Sequence, residues 1–277
     1  MKYFEQIPHP ALRRYIQCFW YCSANELTNK VHTIPLLQHE LVLNFCDYYE
    51  IEQSLQGVGI LKNSKAWVSG IQTKPTVSKS KGKHEMLGVL FKFNGLKAFT
   101  RCDSKDLSNI QTDAYHVFGK SLTNLLEEVH NASSSKQKIA IVEQYLLKNL
   151  QDLQYPTHLR SCLELFSLNK DKKITIRETC KLACITNKSL INAFHKYIGV
   201  SPSKYLQLQS INTAISLLSK NPNQSLTNLA YDLSFFDQAH FIHAFKSVTG
   251  KLPSEYANAV INQKVDKYSP NFIFLEG

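Results

Sequence analysis

The chain has 277 residues, of which 43% are hydrophobic, 11% aromatic and 19% charged. That balance supports a packed core and excludes a disordered or collagen-like chain. Thirty-two Lys and Arg against 22 Asp and Glu give a formal charge of +10, which favours polyanionic partners such as nucleic acid or an anionic membrane surface. Two globular domains are expected at this length. No apolar run approaches the ~18 to 20 residues of a membrane-spanning helix, and Met1 to Pro10 lacks the basic start and apolar run of a secretory signal. A cytoplasmic protein with no membrane partner is expected.

From Tyr3 to about Ile110, short β-like runs alternate with turn residues, at Leu41 to Phe45, Ala66 to Gly70 and Leu87 to Phe93. Thr73 to Lys83, with four lysines around Pro75 and Gly82, reads as a basic loop between strands. From Ser121 to Asn149 the apolar spacing becomes helical, broken by the polar stretch Asn131 to Gln137. Gln151 to Thr157 holds Pro156 and few apolar residues, which places a domain boundary there. The remainder reads as helical almost to its end.

The seven cysteines, Cys18, Cys22, Cys46, Cys102, Cys162, Cys180 and Cys184, are odd in number and dispersed. They read as reduced thiols in cores. Cys18/Cys22 and Cys180/Cys184 could each share a helix face, but zinc sites usually show two-residue gaps and a second ligand pair. His32, His39, Glu40, His84 and Glu85 lack the spacing of a metal-cupin ligand set. A reactive zinc-bound thiol would need clustered cysteines, and no phosphate-binding glycine loop occurs. No metal, cofactor or catalytic site is expected.

The most informative feature is a repeat in the last third. Phe194, Gly199, Pro202 and Tyr205 recur 51 residues later as Phe245, Gly250, Pro253 and Tyr256. Ile176 and Cys180 match Leu226 and Ala230 at an offset of 50. Each copy reads as a short helix, a tight turn and a second helix. Thr186 and Asp237 are N-caps of the second helices, because their side-chain oxygens accept from free backbone N–H groups. Leu190, Ala193, Phe194 and Tyr197, and in the other copy Phe241, Ala244, Phe245 and Val248, form inward stripes. Gly199 and Gly250 end these helices as residues that tolerate the left-handed conformation. Ser203 to Ser219 has helical spacing and joins the two units.

This is the pattern of two helix-turn-helix units, each able to place its second helix in a major groove about 12 Å wide. A rigid joint favours adjacent grooves about 34 Å apart. The Gly-x-x-Pro-x-x-Tyr turns and the segment Phe235 to Lys246 resemble the AraC/XylS class of bacterial transcription regulators, over about residues 172–259. The class signature is met at Phe235, Phe241, Phe245, Lys246, Gly250 and Pro253. Two positions depart from it: Ser234 stands where a glycine is usual, and Ser210 where an arginine is usual. Ser234 bears on the turn of the second unit, and Ser210 on the joining helix.

Positions left over from the inward stripes should face DNA: Lys188, Ile191, Asn192 and His195 in the first recognition helix (about 187–198), and Ala239, Ile242, His243 and Lys246 in the second (about 238–249). The resemblance also implicates Lys188, Asn192, Gln238, Ala239 and His243 in base reading. Asn can pair with adenine, Lys can reach guanine, and Ile or Ala can meet a thymine methyl. Lys196 and Lys246 are read as phosphate contacts. Charge alone does not locate this surface: residues 157–262 hold 12 basic and 6 acidic side chains, residues 1–156 hold 18 and 14.

The resemblance further implies an N-terminal sensing or dimerising domain, often a cupin-like β-barrel. Trp20, Ile34 to Asn44 and Ser69 to Pro75 look similar to an uncharacterised N-terminal domain of such regulators. The expected fold is therefore α+β: a β-rich sensing domain over residues 1–118, a helical connector over 119–156, an all-α tandem helix-turn-helix over 157–262 and a tail over 263–277. The expected function is sequence-specific binding to double-stranded DNA as a transcription regulator or activator, modulated by an unidentified small molecule or a partner at the N-terminal domain, without enzymatic activity. RNA polymerase and a second copy of the chain are partners that the class admits. The alternative is a non-catalytic protein-interaction module that has lost DNA binding, which Ser210 and Ser234 would favour.

Overall fold

Strand β2 (Ile16–Ala24) turns Phe19 and Tyr21 to one face and Trp20 and Cys22 to the other, as the two-residue period of a strand requires. The computed structural model describes residues 2–52, 61–92, 95–151, 156–168, 175–266 and 269–275. Around β2 lie β1 (Lys2–Gln6), β4 (Glu40–Asn44), β6 (Ala66–Ser69), β8 (His84–Phe91) and β9 (Gln111–Asp113), forming an antiparallel sheet in the order β1-β2-β8-β4-β6-β9. A second antiparallel sheet holds β3 (Asn29–Thr33), β5 (Tyr48–Ile51), β7 (Thr76–Lys81) and β10 (Phe272–Leu275), in the order β10-β3-β7-β5.

The outer face of the larger sheet is apolar because helices cover it. After α1 (Ser104–Leu107) and α2 (Tyr115–Phe118), helices α3 (Ser121–Asn131) and α4 (Ser135–Asn149) bring Leu122, Leu125, Val129, Ile139, Val142 and Leu146 against Phe19, Leu41, Leu43, Leu87, Val89 and Phe91 in one core. At its edge Lys138 of α4 is ion-paired with the buried Glu85 of β8, which also accepts from Tyr21 and pairs with Lys83. Burial alone would raise the Glu85 pKa; the bonds from Lys138, Lys83 and Tyr21 outweigh it and hold the carboxyl below its ordinary range.

The stretch expected to be a basic loop, Thr73 to Lys83, contains strand β7 instead. Its alternation is concealed because the inward residues Thr76, Ser78 and Ser80 are small and polar, while Lys79 and Lys81 point outward. Cys18 and Cys22 likewise lie on a strand and not on a helix face. Part of the expected boundary, residues 152–155, lies outside the described residues.

The C-terminal half is helical: α5 (Thr157–Leu168), α6 (Ile176–Leu182), α7 (Asn187–Tyr197), α8 (Pro202–Lys220), α9 (Leu226–Asp232), α10 (Gln238–Thr249) and α11 (Pro253–Ile261). Phe166, Phe194 and Tyr205 meet edge-on or stacked in the first unit, and Phe241, Phe245 and Tyr256 edge-on in the second. Both clusters join one core through Leu208, Ile211, Ile215 and Leu218 of α8. That core also takes in Ile34, Ile71 and Ile273, so the helical half is docked on the sheets. After α11 the chain returns to them: β10 pairs with β3, and Asn271 Nδ2 donates to Asn212 Oδ1 of α8 at 2.9 Å. Among the described residues no helix is long and apolar enough to cross a membrane.

Candidate nucleic-acid interface

Each unit is built by the same local chemistry. Thr186 Oγ1 accepts from Ser189 N at 3.1 Å to start α7, and Asp237 Oδ1 accepts from His240 N at 2.7 Å to start α10. In both, the side chain replaces a helical acceptor that the first turn lacks. The preceding helices α6 and α9 end in paired turns. Ile185 N donates to Cys180 O and Cys184 N to Lys181 O; Phe235 N donates to Ala230 O and Ser234 N to Tyr231 O. This is the Schellman arrangement, whose corner residue must adopt a left-handed backbone. Cys184 has φ of 52° and Ser234 of 64°, so Ser234 keeps the turn geometry at the position where glycine is usual. Gly199 and Gly250, at φ of 100° and 72°, end α7 and α10 as expected.

The inward stripes are buried: Leu190, Ala193 and Phe194 on α7, and Phe241, Ala244, Phe245 and Val248 on α10, with Tyr197 half-buried. The opposite faces carry the candidate contact residues. Lys188, Asn192 and Lys196 are exposed along α7, flanked by half-buried Ile191 and His195. On α10, Gln238, Ala239, His243 and Lys246 are exposed, while Ile242 is half-buried and packs against the core. At the repeat offset Lys188 corresponds to Ala239, Ile191 to Ile242, Asn192 to His243 and His195 to Lys246, so the units present equivalent faces with different side chains. Gln238 is also fixed in place, since its Oε1 accepts from Thr227 Oγ1 of α9 at 2.9 Å.

Helix α1 and strand β3 hold the far ends of the two recognition helices, which the sequence pattern did not indicate. Ser104 Oγ donates to the carbonyl of Tyr197 at 3.0 Å, and His32 Nε2 lies 2.7 Å from the carbonyl of Thr249. Gly199 fits because a Cβ there would lie 2.7 Å from the Ser104 carbonyl oxygen, and Gly250 packs against Pro75 and His32. Burial lowers the His32 pKa, Lys251 adds to the shift, and the Thr249 carbonyl opposes it. The neutral ring, with Nε2 protonated, is therefore the bonded form. Bonds spanning 93 and 217 positions leave no local signal in a single sequence.

A cavity of about 450 Å³ opens between Phe99, Tyr115 and Tyr145 at the helical side. A second, of about 380 Å³, lies between the two sheets. Its walls include Trp20, Glu40, Tyr49, Trp67 and His84, and the returning tail closes it with Asp266, Asn271, Phe272 and Phe274. Trp20 Nε1 donates to Glu40 Oε1 at 2.7 Å. Burial raises the Glu40 carboxyl to about 7, and the indole bond works against that rise. Burial also pushes the thiols of Cys22 to about 12 and Cys46 to about 11, so both stay protonated and unreactive at neutral pH. The small inward residues Thr76, Ser78 and Ser80 of β7 line this hollow interior.

Residues 179–259 match the family described as a helix-turn-helix domain. Residues 5–113 match a domain of unknown function (DUF6597). The chain is 31% identical over 90 residues to the XylDLEGF operon transcriptional activator of Pseudomonas putida, covering 31% of this chain and 28% of that protein. It is 25% identical over 125 residues to the arabinose operon regulatory protein of Escherichia coli, covering 43% and 42%. The matches thus span under half the length of these curated relatives. The solved structure of ToxT from Vibrio cholerae shares the fold, with a TM-score of 0.50 at 12% identity, covering 86% of this chain and 98% of that one.

Proposed function

We propose, from a C-terminal domain of the AraC/XylS class, that the chain is a sequence-specific DNA-binding transcription regulator whose helices α7 and α10 read adjacent major grooves. The observation that carries this reading is the pair of capped, outward-facing helices with equivalent exposed faces, joined by the single helix α8. Asn192 and His243 occupy the same place in the two units and read base edges, as does Lys188; Gln238, held by Thr227, is oriented to do the same. Ala239, Ile191 and Ile242 meet thymine methyls, and Lys196, Lys246 and His195 approach phosphates. The protein is a regulator and not an enzyme, and it acts in the bacterial cytoplasm.

The sheet domain senses a small molecule in the interior cavity. Strand β3 supports this coupling, because Asn29, Val31 and Thr33 line the cavity while His32 between them bonds the end of α10. A ligand that moves β3 therefore changes the hold on a recognition helix, which is the differential contact that coupling between two sites needs. Dimerisation and contact with RNA polymerase complete the working regulator. Phe236 and Tyr231, 92% and 72% exposed beside the second turn, are the surface for a protein partner. The same two side chains favour the second reading, an interaction module without DNA binding.

The test is selection of genomic fragments by the full chain, followed by titration of the best fragment and a scrambled control across salt concentrations. The regulator reading predicts a site with two half-elements about one helical turn apart, and affinity that falls steeply with salt. The interaction-module reading predicts no preferred fragment at any salt.

A further inference from the structure

The interior cavity has a charge character opposite to that of the chain. The protein carries +10 overall, yet among the described residues lining the cavity there is no lysine or arginine, while Glu5, Glu40 and Asp266 all contribute. The strand period sorts the charges: Lys79 lies on the outward face of β7, ion-paired with Glu52 together with Lys30, while Ser78 and Ser80 face in. His84 is the one basic lining residue, and burial lowers its pKa, so it is neutral at pH 7.

The walls beside these acids are aromatic and fixed. Tyr49 and Trp67 stack with ring centroids 5.1 Å apart and planes 7° from parallel. The Trp20 indole lies against the backbone at Gly88, where a Cβ would sit 2.0 Å from the ring. That close approach aims the indole N–H at Glu40. Aromatic faces next to a carboxylate in a water-poor space attract a positive charge through both the ring quadrupole and direct Coulomb interaction. A volume of about 380 Å³ falls in the range of small-molecule sites.

We infer that the cavity binds a small organic cation, an amine with an apolar body, whose ammonium group pairs with Glu40 while the body packs against Trp20, Tyr49 and Trp67. This rests on the proposed sensing role of the sheet domain and gives that role its ligand class. Binding draws Glu40 into its ionised form, so amine affinity rises with pH through about 7, where the free carboxyl titrates.

The experiment titrates the full chain with 2-phenylethylamine, and with 2-phenylethanol and 3-phenylpropionate as neutral and anionic counterparts of similar shape. The readout is the emission of Trp20 and Trp67, the two tryptophans of the chain, both on the cavity wall. The expected result is that the amine binds at least about tenfold tighter than either counterpart at pH 8 and loses that preference at pH 5.5. Glu40→Gln is expected to remove the preference while leaving the affinity for the alcohol within about twofold. The pH series on the unaltered protein stands whether or not that variant folds. Equal or tighter binding of the alcohol or the carboxylate overturns the cation assignment and leaves the sensing role intact. No response to any of the three overturns the cation assignment and removes the cavity as the sensing site.

Discussion

Ser234→Gly tests the turn on which the second unit is built. Ser234 is exposed, has φ of 64°, and forms the corner of the Schellman turn between α9 and α10. Holding an L-residue in the left-handed region costs about 1 to 2 kcal/mol. Glycine removes that strain but brings a larger entropy loss on folding, about 0.5 to 1 kcal/mol. Since the exposed side chain contributes no core packing, the net effect is a stabilisation of roughly 0.5 to 1 kcal/mol. For a domain near 100 residues this raises the unfolding midpoint by roughly 2 to 8 °C. Cys184→Gly, at the matching corner with φ of 52°, is expected to act in the same direction, and the two should add because they sit in separate units. Thermal unfolding followed by circular dichroism reads both. An unchanged or lowered midpoint in Ser234→Gly would refute the assignment of strain to this corner.

Lys196→Ala and Lys246→Ala should each weaken binding to selected and scrambled DNA alike, and lower the slope of log affinity against log salt by about 1; a loss confined to the selected site contradicts the phosphate role. His32 has a pKa below its ordinary 6.5, so its neutral form is favoured on folding. Its contribution is full above 6.5 and lost as pH falls through the lower folded value. The stability gap between the protein and His32→Ala should therefore close as pH drops from 7.5 to 5 in thermal melts, and a gap constant with pH counts against the burial that lowers the His32 pKa. Gly88→Ala would set a methyl against the Trp20 ring, whose nearest atom is 2.0 Å away. A cost of ~1 to 3 kcal/mol is expected, with altered tryptophan emission as the indole leaves Glu40; unchanged melting and emission contradict that packing.

The helical half was legible because its signals are local and duplicated. A cap such as Asp237, a turn glycine such as Gly250 and a stripe such as Phe241/Phe245 each act within one or two helical turns. The strands packed under α3 and α4 were legible where one face is wholly apolar, as at Leu41 and Leu43. Strand β7 was hidden because its inward face is lined by Thr76, Ser78 and Ser80, which suit a polar cavity and erase the hydrophobic alternation. Strand β10 was missed for another reason: Phe272 to Leu275 is too short to announce itself, and its partner β3 lies more than 200 residues earlier. The cavity and the hold of Ser104 and His32 on the helix ends exist only after the chain is folded.

Asn192→Ala and His243→Ala, measured on a selected fragment and a scrambled control at fixed salt, test whether the two equivalent helix faces read DNA sequence. Each variant is expected to lose ~1 to 3 kcal/mol of affinity for the selected fragment while binding the control nearly as the unaltered protein does. Equal losses on both DNAs, or no loss on either, would contradict the claim.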